Sequence, residues 1–348
     1  MKREPRTTRV AVYLTLSLAA IGCGDSTAPQ ATDPIDEETL LRHLNFLARD
    51  SLYGRGAGSP QELLAALYLR DEFIAYGLAP GVPGYLQAFD LPQSQLDARS
   101  TPVSSDVESK RHTSVRQDDD LQSHNVIGSL AGHGAQAGQW IVVGAHYDHL
   151  GWRRVNEDSI IIYNGADDNA SGTSLLLEIA RYLSHYLTSG ADGTMDHRSV
   201  MFHGYGAEEL GLLGSRYYVD HLTVPSDSIV AMINLDMVGR LRANTLVVGG
   251  VTTAELWDAL LTRSNAAGLL MQYSDAVLGS SDQYPFYLLQ KPVLMFHTGL
   301  HAEYHQPDDD VWLINLDGMV EVGNLALAIL LEVATLDEPP LWEVPTNP

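Results

Sequence analysis

The chain has 348 residues, 45% of them apolar, with 21 Lys and Arg against 44 Asp and Glu, for a formal charge of −23. That length suits one large domain or two small ones, and the apolar share can bury a sizeable core. The acidity excludes the basic surface that nucleic-acid binding needs. One cysteine, Cys23, excludes an intramolecular disulfide and a thiolate metal site, so any metal must be held by His, Asp and Glu.

The first stretch reads as a targeting segment. Lys2, Arg3, Arg6 and Arg9 form a basic region, and Val10–Ile21 is apolar but too short to span a bilayer comfortably. Ala20-Ile21-Gly22-Cys23 resembles a bacterial lipoprotein signal, which implies cleavage before Cys23 and lipidation of its thiol. Ala20 stands where such signals usually carry Leu, and Gly24 follows the cysteine instead of the Asp that marks inner-membrane retention. The expectation is an exported, cell-envelope protein, lipid-anchored at the outer membrane or cell surface. An ordinary secretory signal is the alternative. Residues 1–22 are then the signal and 23–35 a flexible tether rich in Ser, Thr, Pro, Asp and Gln.

A single domain is expected over 36–335, followed by a tail at 336–348. Asp36–Arg49 carries Leu40, Leu44 and Leu47 at helical spacing. Ser59-Pro60-Gln61-Glu62 is a helix start with capping-box spacing, and that helix carries Leu63, Leu67 and Ile74 up to Gly77. Residues 91–123 lose periodicity and read as a polar surface excursion, partly disordered. From His124 strands and helices alternate. Strands are expected at Asn125–Leu130, Gln139–Ala145, Ser199–Tyr205, Ile229–Leu235, Thr245–Gly249 and Pro292–His297. Helices are expected at Ser171–Tyr186, Glu208–His221, Thr253–Ala267 and Leu316–Thr335. The strands are near-continuous apolar runs, as when helices cover both sheet faces. This order predicts a three-layer α/β/α sandwich with a mixed, centrally parallel sheet and a site at the carboxyl ends of its strands.

Those ends carry the chemistry. Gln139–Ala145 runs into His146 and Asp148, Ser199–Tyr205 into Glu208 and Glu209, Ile229–Leu235 into Asp236, and Pro292–His297 into a segment reaching Tyr304 and His305. Asn164-Gly165-Ala166-Asp167-Asp168-Asn169-Ala170-Ser171-Gly172 opens the first of the later helices. Each piece alone has a plain structural reading: a local His–Asp pair, a helix cap, acids favoured by a helix dipole. Together, acids and imidazoles after buried strands are costly unless they are paired or bind metal.

The set AHYDH (Ala145–His149), NGADDNASG (Asn164–Gly172), GAEELGLLGS (Gly206–Ser215), NLDMVG (Asn234–Gly239), SSDQYPF (Ser280–Phe286) and the YHQPDD run (Tyr304–Asp309), with LYGRGAGS (Leu52–Ser59) upstream, resembles the two-zinc exopeptidases of the aminopeptidase Y and bacterial leucyl aminopeptidase family. The resemblance covers about residues 36 to 335. It implies a zinc-dependent aminopeptidase acting on peptides. One ion would be held by His146 and Asp236, the other by Glu209 and His305, and Asp168 would bridge them. Glu208 would be the general base, Tyr304 would stabilise the oxyanion, and Asp148 would support His146 by accepting its hydrogen bond. The family also usually has a cis peptide after the bridging Asp. Gln283 stands where many relatives have His, which implies altered substrate contacts. His149, His203, His297 and His301 read as structural or as supports to the ligands. Other exopeptidase activity (carboxypeptidase or dipeptidase), a one-zinc glutaminyl cyclase on the same fold, and a non-catalytic binding protein are the alternatives. A shifted H-E-x-x-H helix at His301–His305 is disfavoured because Glu303 is one place late, and no serine-hydrolase elbow or P-loop is present.

Overall fold

Asp36 caps the first helix through a carboxylate that accepts from Thr39 N at 2.8 Å. Helix α1 (Glu37–Leu47) buries Leu40, Leu44 and Leu47, as their spacing predicts. The computed structural model describes residues 34–92, 121–189 and 195–344. The expected signal, most of the tether, residues 93–120 of the polar excursion and residues 345–348 of the tail lie outside the described residues.

Helix α2 (Pro60–Ala75) starts as expected, with Ser59 Oγ accepting from Glu62 N at 3.1 Å. The return half of the capping box is absent: the Glu62 carboxylate accepts instead from Gly58 N at 2.6 Å and Ser123 Oγ at 2.5 Å. The large apolar residues that mark this helix in the sequence do not form its buried face. Leu63 and Ile74 are exposed, and the buried side is Ala65, Ala66, Leu69 and Phe73. Small side chains let this helix approach the sheet closely. Phe73 lies over Gly128, where an added Cβ would stand 2.8 Å from its ring.

The chain continues through β1 (Ala79–Pro80), β2 (Leu86–Asp90), β3 (Gln122–Leu130), β4 (Trp140–His146), β5 (Trp152–Arg154) and β6 (Ile160–Ile162) to helix α3 (Gly172–Ser189). After it come β7 (Ser199–Tyr205), α4 (Leu213–Asp220), β8 (Ile229–Leu235), β9 (Thr245–Gly249), α5 (Leu256–Ser264), β10 (Leu270–Tyr273), α6 (Gln283–Leu288), β11 (Val293–His297) and α7 (Leu316–Thr335). The main sheet runs β1-β3-β7-β4-β8-β11-β9-β10, with β2 paired to β3. Its centre, β7-β4-β8-β11, is parallel; β3 joins β7, and β9 joins β11, antiparallel. The mixed, centrally parallel α/β/α architecture is therefore as predicted.

Alternate residues of β4 show why its sequence is apolar throughout. Ile141, Val143 and Ala145 join the core shared with α1, α2, α3, α5 and α7, whereas Val142 joins the core shared with α4 and α6. Helix α7 is long and apolar enough to cross a membrane, but Met319, Val322, Leu325, Ala326, Ile329, Leu330 and Val333 are buried in the first of these cores.

The expected helix Glu208–His221 is interrupted. A short 3-10 turn at Glu208–Leu210 is followed by Gly211 and Leu212 at positive φ before α4 begins. Residues 208–209 are thus held on a tight turn at the end of β7 instead of on a helix flank. The β5–β6 hairpin, β1, β2, β10 and α6 are elements that the sequence pattern did not predict.

Candidate active site

The ends of four adjacent parallel strands and the start of α3 deliver the predicted residues to one place. The segment Asn164–Gly172 is a turn whose side chains divide the labour. Asp167 accepts from Gly239 N at 2.7 Å, from Ser171 Oγ at 3.1 Å, and stands 3.1 Å from His301 Nε2. Asn169 donates to Leu235 O at 2.9 Å and accepts from Met237 N at 3.1 Å, stitching the start of α3 to the end of β8 on either side of Asp236. Asp168 is left facing the site. The Asp168–Asn169 peptide is cis, as the resemblance implies.

One Asp168 oxygen lies 3.3 Å from His146 Nε2, and the other lies 3.0 Å from His305 Nε2. Asp236 Oδ1 is 3.4 Å from His146 Nε2, and Glu209 Oε1 is 3.4 Å from His305 Nε2. Glu208 Oε2 stands 3.9 Å from His146 Nε2. Tyr304 stacks on His305 with ring centroids 3.8 Å apart. All eight predicted residues, Asp148 included, therefore converge.

The support from Asp148 takes a different form from the one expected. His146 Nδ1 makes its hydrogen bond to the main-chain carbonyl of Asp148 at 3.3 Å, with the carboxylate 3.7 Å away. A carbonyl only accepts, so Nδ1 carries the proton and Nε2 faces the acids. The Asp148 carboxylate instead accepts from Glu208 N at 2.9 Å and Glu209 N at 3.3 Å, fixing the turn that bears both glutamates.

Two further residues enter: His149, which was expected as structural or as a support, and Asp309, which sequence reasoning left without a role. His149 is fully buried, with Nδ1 2.8 Å from Glu209 Oε1 and 3.8 Å from Asp168 Oδ2. Asp309, buried at the end of the YHQPDD run, accepts from Asp167 N at 3.0 Å and Asp168 N at 3.1 Å. Its place in a recognised motif was the one signal for it. The other histidines brace the site: His297 Nδ1 bonds Asp236 O at 3.0 Å, and His301 bridges Asp167 and Glu303. His203 is more distant, packed edge-on against Tyr218. Gln283 is buried and donates to Val277 O and Leu278 O at 2.9 Å, so it holds a loop and does not line the site.

The backbone is strained where these residues sit. Ala207, Met237 and His305 have φ of 54°, 54° and 57°. For such side chains this region costs about 1–3 kcal/mol each, a cost that clusters at functional sites.

The electrostatics separate neighbouring groups. Burial pushes Glu208 well above the usual carboxylate range, with Asp282, Glu209 and Asp236 adding to it against His146. For Glu209, burial and Asp168 act upward but are outweighed by His149 and His305, which bring it down to about 2. Burial would depress His146, but Glu208 and Asp236 outweigh it and hold the imidazole well above its ordinary value. Adjacent carboxyls pushed in opposite directions are the usual sign of divided acid–base roles.

The donor set fits divalent cations. Ligand-capable atoms of His146, Glu208 and Asp236 lie within 4.8 Å of one another, as do those of His149, Asp168 and Glu209. Asp236 Oδ1 is buried without a hydrogen-bond donor among the described residues, an expensive arrangement that a cation relieves. Buried carboxylate and imidazole without thiolate suit zinc or a harder ion.

An α/β/α sheet that gathers buried acids and imidazoles at its carboxyl ends is an arrangement suited to metal-assisted hydrolysis. The chain belongs to peptidase family M28, whose profile matches residues 125–330. It is 31% identical over 229 residues to aminopeptidase YwaD of Bacillus subtilis, a match covering 63% of this chain and 46% of that protein. The chain spans about half the length of the curated relatives it matches. In fold it is similar to a zinc aminopeptidase from Bacillus subtilis (TM-score 0.65, 20% identity, 87% of this chain and 96% of that one). It is similar also to a glutaminyl cyclase from Porphyromonas gingivalis (TM-score 0.60, 19% identity, 86% and 99%).

Proposed function

We propose that the chain is a zinc-dependent aminopeptidase that removes residues from the N-terminus of peptides. The observation that carries this reading is the position of Asp168 between two imidazoles, one carboxylate oxygen toward His146 and the other toward His305. A carboxylate so placed suits a bridge between two divalent ions. His146 and Asp236 would complete one site, and Glu209 and His305 the other, with His149 close enough to Glu209 to orient it. When bound, the ions supply Lewis acidity that lowers the pKa of water and polarises the scissile carbonyl.

The chain's own residues do the rest. Glu208 is the proton carrier: Asp148 fixes its main chain and its carboxylate stands 3.9 Å from His146 without being needed as a ligand, so it can take a proton from the attacking water and hand it to the leaving amine. Tyr304 is half-buried against His305, and burial with the neighbouring acids keeps its hydroxyl protonated, so it can donate to a developing oxyanion. The direction of attack, from the N-terminus, is taken from the family and from the aminopeptidases that the chain resembles. Export on a lipid anchor at Cys23 belongs to the same proposal and rests on the lipobox alone.

The test is a panel of aminoacyl-p-nitroanilides with N-acetylated controls, assayed before and after chelation and again with zinc restored. Cleavage of free-amine substrates only, lost with chelator and regained with zinc, is expected. Cleavage of the acetylated controls, or full activity after chelation, would refute the proposal. Cyclisation of N-terminal glutaminyl peptides by a one-zinc protein would instead support the cyclase reading, which the second fold similarity keeps open.

A further inference from the structure

Arg55 is fully buried beneath the site and sits at φ 47°, between Gly54 at φ 67° and Gly56. Its Nε donates to Tyr147 O at 2.8 Å. Nη1 donates to Asn164 O at 2.7 Å and also to Leu47 O, and Nη2 donates to Gly165 O at 3.0 Å. Its own carbonyl accepts from His149 N at 3.2 Å, and Gly54 O accepts from Gly151 N at 2.9 Å. A Cβ on Gly54 would meet Gly151 O at 2.2 Å and Tyr163 O at 2.3 Å, so the turn is closed against both chains that flank the site.

These partners are not a random set. Tyr147 lies between His146 and Asp148 at the end of β4. Asn164 and Gly165 lead directly into Asp168. Leu47 is the last residue of α1, where a cation also meets favourable free carbonyls. One rigid guanidinium therefore ties together the segment that carries His146 and the segment that carries Asp168, and anchors both to a helix outside the site. A lysine could not do this, because its ammonium is a single point and not a planar fork.

We propose that Arg55 is a positioning residue: its guanidinium fork sets the spacing between His146 and Asp168 on which the metal centre depends. The inference rests on the metal reading above. Outer contacts of this kind typically govern about 10–100-fold in metal affinity.

The experiment titrates metal-free protein with zinc against a chromophoric chelator, and records the absorption spectrum of the cobalt(II)-loaded form. Wild type is measured beside Arg55→Lys, which keeps the charge and loses the fork, and beside Tyr53→Ala. Tyr53 borders the same turn and packs edge-on against Trp152 at 6.2 Å without taking part in the fork. The expected result is zinc affinity lowered about 10–100-fold and an altered cobalt spectrum for Arg55→Lys, with Tyr53→Ala close to wild type. Wild-type affinity and an unchanged spectrum in Arg55→Lys overturn the proposal. So does an equal loss in Tyr53→Ala, which would mean general loosening. Failure of the wild-type chain itself to take up zinc overturns the metal reading, and with it this inference. Where Arg55→Lys does not fold, hydrogen exchange on the wild-type chain decides. The amides of His149 and Gly151, which bond the Arg55 turn, are expected to slow together on zinc binding, and no change in either overturns the proposal.

Discussion

Acid should weaken this fold through a histidine remote from the acid cluster. His43 in α1 is fully buried, with Nδ1 2.7 Å from Tyr68 Oη and Nε2 3.2 Å from Tyr76 Oη. Burial is the main reason its pKa falls from 6.5 to about 3, and Arg42 adds to the depression. The sign follows from linkage. Below 6.5 the unfolded chain takes up a proton that the folded chain refuses, so stability falls as pH drops from 6.5 toward 3. By a pH about two units below the unfolded value, the loss amounts to about 3 kcal/mol. His43→Gln cannot titrate and keeps one of the two tyrosine contacts, so at neutral pH it should cost about 1–2 kcal/mol. The ranking therefore reverses with pH: wild type is the more stable near pH 7.5, and the variant near pH 4.5. The assay is urea unfolding of metal-free protein followed by tryptophan fluorescence, with both chains compared at each pH so that shared titrations cancel. A stability gap that stays constant with pH, or that widens in favour of wild type as pH falls, would refute the reasoning.

Other outcomes follow from the same geometry. Glu208→Gln should retain its metal and fold while kcat falls about 10²–10⁴-fold, read from steady-state kinetics with elemental analysis of the same sample. Asp309→Ala removes the acceptor for Asp167 N and Asp168 N; it should lose about 1–3 kcal/mol in urea unfolding, and its zinc affinity should fall. Phe202→Ala empties a fully buried position against Phe73 and should cost about 3–5 kcal/mol without changing metal stoichiometry.

The parallel centre of the sheet was legible because its strands are buried on both faces. Ser199–Tyr205 and Ile229–Leu235 are apolar or nearly so from end to end, and their boundaries match residue for residue. The acids and imidazoles at the strand ends stood out against that background, and the family motifs supplied the pairing. What failed depends on contacts remote in sequence. Helix α2 is apolar on more than one side, so periodicity alone could not show that Ala65, Ala66 and Phe73 face the sheet. The β5–β6 hairpin is short and carries Glu157 and Asp158 at its tip, so it has no buried run to detect. The break at Gly211–Leu212 turned an expected helix into the turn that presents Glu208. Arg55 had no signature beyond its motif, because its partners are main-chain carbonyls scattered over more than a hundred residues. His149 was expected as structural or as a support to the ligands, but which ligand it meets could not be read, because only the fold brings its ring to Glu209.

The measurement that bears most directly on the central claim is the number of metal ions per chain, by elemental analysis of zinc-loaded wild type and Asp168→Asn. Two ions in wild type and fewer than two in the variant are expected if one carboxylate serves both sites. One ion in wild type, or two retained by Asp168→Asn, would contradict the account.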